Sequence, residues 1–337
     1  MSRNRGKSII SVVFMVLMLA GCQSTFGMEE GEDTLTPLDE SLVVVGVSQI
    51  GSESVWRTAN SASIQREFTK ENGYFLIFDN ARQKQENQIK AIRSFISQQV
   101  DYIIFSPITE SGWDTVLQEA KDAHIPVILM DRKVRVEDES LYTTWIGSDF
   151  FEEGRKAGEW LEQYLNQMGK EKQDMNLVVL QGTEGATSVI GRTQGFNEIA
   201  KKHDTWKILD EVDAEYTTAK AREVMSNLLR KHDKIDVVVS QNDDMTFGAI
   251  EAIEEAGLST GEDGDIVIIS FDAVRSALEM VQEGKINVDI ECNPVQGEKI
   301  RQVLNRLEKG EKVEREYYVQ EQVFTKDNIG NLEERTY

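Results

Sequence analysis

The chain has 337 residues and a formal net charge of −22. A surface that acidic argues against nucleic acid and against anionic lipid as partners. Its length is ample for a core, and its two cysteines, Cys22 and Cys292, make it no disulfide scaffold.

Arg3, Arg5 and Lys7 precede an almost wholly apolar stretch over 9–20. This is a charged region followed by an h-region, short of the roughly 20 residues that span a membrane. It closes on Leu19-Ala20-Gly21-Cys22, which resembles a bacterial lipoprotein signal. The expectation is removal of 1–21 and a lipid on Cys22, hence an exported, membrane-anchored protein. That cut removes three basic residues and no acid, so −22 becomes about −25. With Cys22 lipidated, Cys292 has no intrachain partner. Residues 22–41 are polar and acidic without an apolar period, and read as a flexible tether.

Strand and helix signals then alternate. Strands are expected over 42–47, 74–78, 102–106 and 127–130, with helices over 55–72, 84–99 and 113–123 between them. In the helix over 84–99, Ile89, Ile92, Phe95 and Ile96 share one face. A second series sets strands over 177–180, 206–209, 237–240, 266–270 and 288–290 among helices over 153–164, 188–202, 217–230, 245–256 and 274–283. A helix over 294–307 and an extended stretch over 317–324 complete it. Such alternation predicts βαβ units and parallel sheets covered on both faces. This many units predicts two α/β lobes of similar size, dividing near 146–148.

Polar groups collect where strands end. Ile125-Pro-Val-Ile-Leu-Met-Asp131-Arg132 is a short apolar run stopping on an acid and a base. In an open parallel sheet, ligands bind beyond the carboxyl ends of strands. A carboxylate beside a planar fork of donors suits a polyhydroxylated molecule, although a surface salt bridge would look the same. The other strand ends carry Ser54, Trp56 and Arg57; Asn242, Asp243 and Asp244; Asp272; and Glu291 and Asn293. Arg192 lies on the helix after Leu180. Aromatic faces pack on the C–H faces of a sugar while carboxylates, amides and guanidinium groups bond its hydroxyls.

These residues carry a resemblance. The stretch 48–54 with Trp56-Arg57, 83–91, Ile125-Pro126-Val127 with Asp131-Arg132, Leu180-Gln-Gly-Thr183, and Asn242-Asp-Asp-Met245 with Gly248-Ala-Ile250 are similar to the sugar-binding proteins of ABC importers, the ribose/galactose-type group. Gly51-Ser-Glu-Ser54 and Gln83-Lys-Gln-Glu-Asn-Gln88 resemble its galactofuranose-like branch. The likeness runs from about 43 to about 330. It implies two doubly wound parallel-sheet lobes, 42–147 plus 294–320 and 148–291 plus 321–337, joined by three crossings in a type I periplasmic binding protein fold. It implies that Trp56 stacks on the sugar with Ser54 and Arg57 beside it, and that Asp131 and Arg132 bond ring hydroxyls. Arg192, Asn242 and Asp272 would act from the second lobe, with Tyr216 closing the other face of the ring. Either Glu291 or Asn293 would be the contact beside a hinge crossing. The branch has Phe where Tyr216 stands, and the loop 79–82 departs from the ribose-type pattern.

Rival signals are weak. Gly182-Thr-Glu-Gly185 lacks the Gly-Lys-Ser/Thr ending of a phosphate loop. His124, His203 and His232 are scattered, Asp263-Gly-Asp265 lacks the calcium-loop pattern, and no nucleophile elbow occurs. Of Asp243 and Asp244, one is expected to bond ligand and one to cap the following helix. The expected function is therefore a non-catalytic, monomeric sugar receptor without metal or cofactor, delivering a monosaccharide, galactofuranose-like by resemblance, to a membrane permease. The alternative is a sensor subunit for a membrane histidine kinase or chemoreceptor.

Overall fold

The computed structural model describes residues 42–337; the expected export signal, Cys22 and tether lie outside the described residues. The first series comprises β1 (Val43–Gln49), α1 (Val55–Glu67), β2 (Tyr74–Asn80), α2 (Gln85–Ser97), β3 (Tyr102–Phe105), α3 (Asp114–Asp122), β4 (Val127–Met130) and β5 (Thr144–Gly147). The second comprises α4 (Phe150–Gln167), β6 (Met175–Gln181), α5 (Thr187–Ala200), β7 (Trp206–Asp213), α6 (Thr218–Lys231), β8 (Val237–Ser240), α7 (Asp243–Glu255), β9 (Val267–Asp272), α8 (Arg275–Gln282) and β10 (Val288–Glu291). Then follow α9 (Gly297–Glu308), β11 (Glu316–Tyr318) and β12 (Val323–Phe324).

The strands form two six-stranded sheets. One runs β11-β5-β4-β3-β1-β2, every pair parallel. The other runs β12-β10-β9-β8-β6-β7, parallel except at the antiparallel β12 edge. The chain passes between the sheets after β5, after β10, and between β11 and β12. Both sheets are apolar on both faces because helices cover both. In the first lobe Val45 and Val47 pack against Ile64 of α1 and Ile300, Val303 and Leu304 of α9. Ile92, Phe95, Val116 and Leu117 of α2 and α3 cover the opposite face. Each such aliphatic side chain, fully buried, contributes about 1.5–3 kcal/mol. In the second lobe α4 and α5 cover one face and α6, α7 and α8 the other.

α4 and α5 cross very closely. A Cβ at Gly154 would lie 2.1 Å from the Arg192 carbonyl oxygen, and one at Gly195 2.0 Å from that of Phe151. Only glycine permits this approach, which sets Glu153 of α4 beside Arg192 of α5.

Three elements differ from expectation. The helix expected over 55–72 stops at Glu67. Phe68 turns inward, its ring 5.0 Å from Tyr74, and a short 3-10 turn ends on left-handed Gly73. β5 lies where no strand is expected, its Thr-Trp-Ile-Gly offering only two apolar residues in a row. The stretch 317–324 is two short strands in different sheets.

Candidate functional site: a closed cleft between two sheets

The carboxyl ends of both sheets face one cleft. In the first lobe Ser54 caps α1, its Oγ accepting from the Arg57 N–H at 3.0 Å. This cap starts the helix where Trp56 and Arg57 face the cleft. Arg57 Nη1 lies 2.8 Å from Asp131 Oδ2, and its Nε lies 3.2 Å from Glu53 Oε1. Burial works against the Arg57 charge, but Asp131 and Glu53 outweigh it and raise its pKa. Ser106, at the end of β3, donates to the same Asp131 oxygen at 2.9 Å.

Asp131 leaves β4 with φ +60°, held by its N–H on Ile146 O at 2.8 Å and its carbonyl under Trp145 Nε1 at 3.0 Å. A left-handed aspartate at a strand end is strained backbone of the kind found at ligand sites. Arg132 follows, donating to Ile108 O at 2.9 Å, with its guanidinium 5.2 Å from the Tyr216 ring centre. Its Nε is buried without a hydrogen-bond partner. Burial, aided by the Arg57 charge, lowers its pKa.

In the second lobe Arg192 rises from α5 with Nε 2.7 Å from Glu153 and Nη2 3.4 Å from Asp272; its Nη1 donates to Gln241 O. The rings of Phe150 and Phe271 flank the guanidinium at 5.5 and 5.0 Å. Asp272 ends β9 with φ +108°, and burial pushes its carboxyl well above the usual range despite Arg192. Tyr216 has φ +59° and its hydroxyl lies 2.7 Å from Ser188 Oγ. Asn242 caps α7, accepting from the Met245 N–H at 2.9 Å.

Contacts across the cleft close it. Trp56 Nε1 donates to Cys292 O at 2.6 Å, and Val55 N–H to Asp244 Oδ2 at 3.1 Å. Glu110 N–H donates to Gly185 O at 3.0 Å, and Lys133 N–H to Thr187 Oγ1 at 3.1 Å. Together these enclose a small cavity lined by residues of both lobes. Trp56 and five of the charged residues at the site, Arg57, Asp131, Arg132, Arg192 and Asp272, are at most 5% exposed.

Nine expected residues line this cavity: Ser54, Trp56, Arg57, Asp131, Arg132, Arg192, Tyr216, Asn242 and Asp272. Glu291 does not. Its Oε1 accepts from Arg335 and Tyr337, both at 2.8 Å, and its Oε2 from Gln322 N–H at 2.9 Å. Asn293 is no lining residue either: its Oδ1 accepts from Val295 N–H. The loop 79–82 stays outside, with Asn80 bonded to Ser52. The helix cap is Asn242, whereas Asp243 accepts from Val274 N–H at 2.8 Å and Asp244 reaches across the cleft.

The cavity also takes Glu53, Phe150, Ser188 and Cys292. Glu53 had a signal, since an acid four residues before Arg57 pairs with it on a helix start. Phe150 had a weaker one, an aromatic just after a chain crossing. Among the described residues, Glu153, Cys292 and Glu321 bring metal-capable atoms within 4.8 Å of one another. Arg192 holds Glu153 Oε2, and Ser148 and Asn293 N–H hold Glu321 Oε1, while the buried Glu153 Oε1 has no partner of its own.

The lining charges balance, Arg57, Arg132 and Arg192 against Glu53, Asp131 and Asp272. Together with an aromatic side chain from each lobe, that arrangement suits a small neutral molecule rich in hydroxyls, and offers an anion no net attraction.

Comparison with known proteins agrees. Residues 45–312 match the periplasmic binding protein domain. The galactofuranose-binding protein YtfQ of Escherichia coli K12 is 42% identical over 255 residues, covering 75% of this chain and 78% of that protein. A Mycobacterium smegmatis structure in complex with β-D-fucofuranose superposes with a TM-score of 0.81 at 42% identity, covering 85% of this chain and 92% of that one. The periplasmic binding component of the arabinose ABC transporter of Shewanella sp. ANA-3, bound to α- and β-L-arabinofuranose, gives 0.78 at 42% identity, covering 84% and 92%. The chain, with its two parallel-sheet lobes, therefore belongs to the periplasmic binding protein family, whose members are binding proteins and not enzymes.

Proposed function

We propose that this protein is an extracytoplasmic receptor that captures a neutral monosaccharide in its furanose form between two lobes and hands it to an ABC import permease. The observation that carries the reading is the small cavity between the lobes, with balanced charge and buried donors. Relatives bound to fucofuranose and arabinofuranose support the five-membered ring. In this reading Trp56 stacks on the sugar, and Ser54, Arg57, Asp131 and Arg132 bond hydroxyls from the first lobe. Arg192, Asn242 and Asp272 do so from the second, and Tyr216 covers the opposite face. The lobes comprise 42–147 plus 294–320 and 148–291 plus 321–337, and closure about the three crossings buries the sugar. Lipid on Cys22 tethers the receptor, as a monomer, to the membrane.

Among the described residues no helix is long and apolar enough to cross a membrane, so membrane attachment in this proposal rests on Cys22. The test is a thermal-shift screen with D-galactose, L-arabinose, D-fructose and D-ribose. A sugar at 100 times its dissociation constant adds about 2.7 kcal/mol of stability. Stabilisation by galactose or arabinose, which supply furanose forms at equilibrium, supports the proposal. A flat screen across all four sugars refutes it.

A further inference from the structure

Arg335 lies outside the cavity, yet it holds the turn from which Asp272 enters it. Its Nε and Nη2 both donate to the Ala273 carbonyl, at 2.9 and 2.6 Å. Its Nη1 pairs with Glu291 Oε1 at 2.8 Å, and its guanidinium rests on the rings of Phe324 and Tyr337, 5.0 and 4.2 Å from their centres. The turn it grips is strained: Asp272 and Ala273 both have positive φ, +108° and +58°, and neither is glycine. Such backbone persists only where its surroundings over-determine it. Further restraints are the Cys292 N–H on Asp272 O at 3.4 Å, the pairing of Asp272 with Glu291 in the sheet, the Ala273 N–H on Asp289 at 3.1 Å and the Val274 N–H on Asp243 at 2.8 Å. Arg335 supplies the one charged grip on the carbonyl side. Its planar fork suits the task, because one carbonyl and one carboxylate are held at once.

We infer that Arg335 is a positioning residue for sugar binding, fixing the turn at Asp272 and Ala273 so that the Asp272 carboxyl is aimed across the cavity. The inference rests on the reading of Asp272 as a sugar contact. It also gives Glu291 a role: buried beside the hinge crossing, it anchors the residue that anchors the turn.

The test uses the full chain with Arg335→Ala and Arg335→Lys, alone and with Asp272→Asn. Hydrogen exchange without sugar reads the turn, and calorimetry with L-arabinose and D-galactose reads binding. Arg335→Ala is expected to speed exchange over 272–276 while the strands of the first sheet stay protected. Loss of a charge-assisted bond of this kind is expected to weaken affinity by about tenfold. Arg335→Lys, which can keep one partner but not the fork, is expected to fall between. In the Asp272→Asn background, Arg335→Ala is expected to cost little more. Unchanged exchange at 272–276, unchanged affinity, or an equal loss in both backgrounds overturns the inference. If the wild-type protein binds neither sugar, the proposed function fails, while the exchange measurement still decides whether Arg335 holds the turn.

Discussion

Replacing Glu321 by glutamine tests whether the hinge holds a shared proton. Glu321 lies in the crossing between β11 and β12, with Glu153 of α4 and Cys292 of the β10 crossing against it. Its Oε1 accepts from Ser148 Oγ and from Asn293 N–H at 2.9 Å. Arg192 neutralises Glu153 but does not reach Glu321. Burial, and then the Glu153 charge, push Glu321 up to about 9; burial likewise raises Glu153 to about 7. Both folded values exceed the ordinary 4.5. The folded state therefore binds more protons than the unfolded one from pH 4.5 up to the folded values, so stability falls as pH rises from 4.5 through 9. One retained proton is worth about 1.4 kcal/mol per pH unit, so going from pH 7 to pH 9 costs about 2 kcal/mol through Glu321 alone. Glutamine imitates the protonated acid: its oxygen keeps both donors and its amide can donate to Glu153. Urea unfolding of both proteins at pH 7 and pH 9 measures the difference. The Asp243–Asp289 pair and Asp272 also sit above their ordinary values through burial, but they are common to both proteins and cancel. The expected result is a shallower fall in stability between pH 7 and pH 9 for Glu321→Gln than for the parent protein. Equal slopes would show that no proton is held there.

Three further outcomes follow from the same geometry. Gly182→Ala places a Cβ 1.9 Å from the Tyr216 ring; overpacking of this kind costs about 1–3 kcal/mol, and the displaced ring is expected to weaken sugar binding, read by unfolding and calorimetry. Trp56→Ala and Arg132→Ala are each expected to abolish binding while circular dichroism stays native, because both side chains line the cleft between the lobes. Asn242→Ala removes the α7 cap at a cost of about 0.5–2 kcal/mol, and is expected to lower both melting temperature and affinity.

The division into strands and helices was legible because each apolar run is short, and the runs alternate with segments of helical period. β5 escaped because Thr-Trp-Ile-Gly holds only two apolar residues in a row; its strand character comes from lying between β4 and β11. The break between β11 and β12 escaped for a related reason. An extended stretch reads the same whether it stays in one sheet or passes between two.

Strand ends pointed to most of the residues that line the cleft, since in parallel sheets they all open on the same side. They failed at Glu291, and the failure is one of facing. Side chains alternate along a strand, so 291 and 293 share one side, and a shift of one residue brings in 292 instead of both. The structure settles it on Cys292 and turns Glu291 toward a segment 44 residues away. No local pattern announces that pairing, because Arg335 meets Glu291 only once the chain has passed back through the hinge. Asp243 and Asp244 failed similarly. Three consecutive polar residues start α7, and the φ of −163° at Asn242 decides which of them caps it. Residue types at strand ends thus indicated a polar ligand, while the balance of three guanidinium groups against three carboxyls, which argues for a neutral one, emerged only when both lobes enclosed the same cavity.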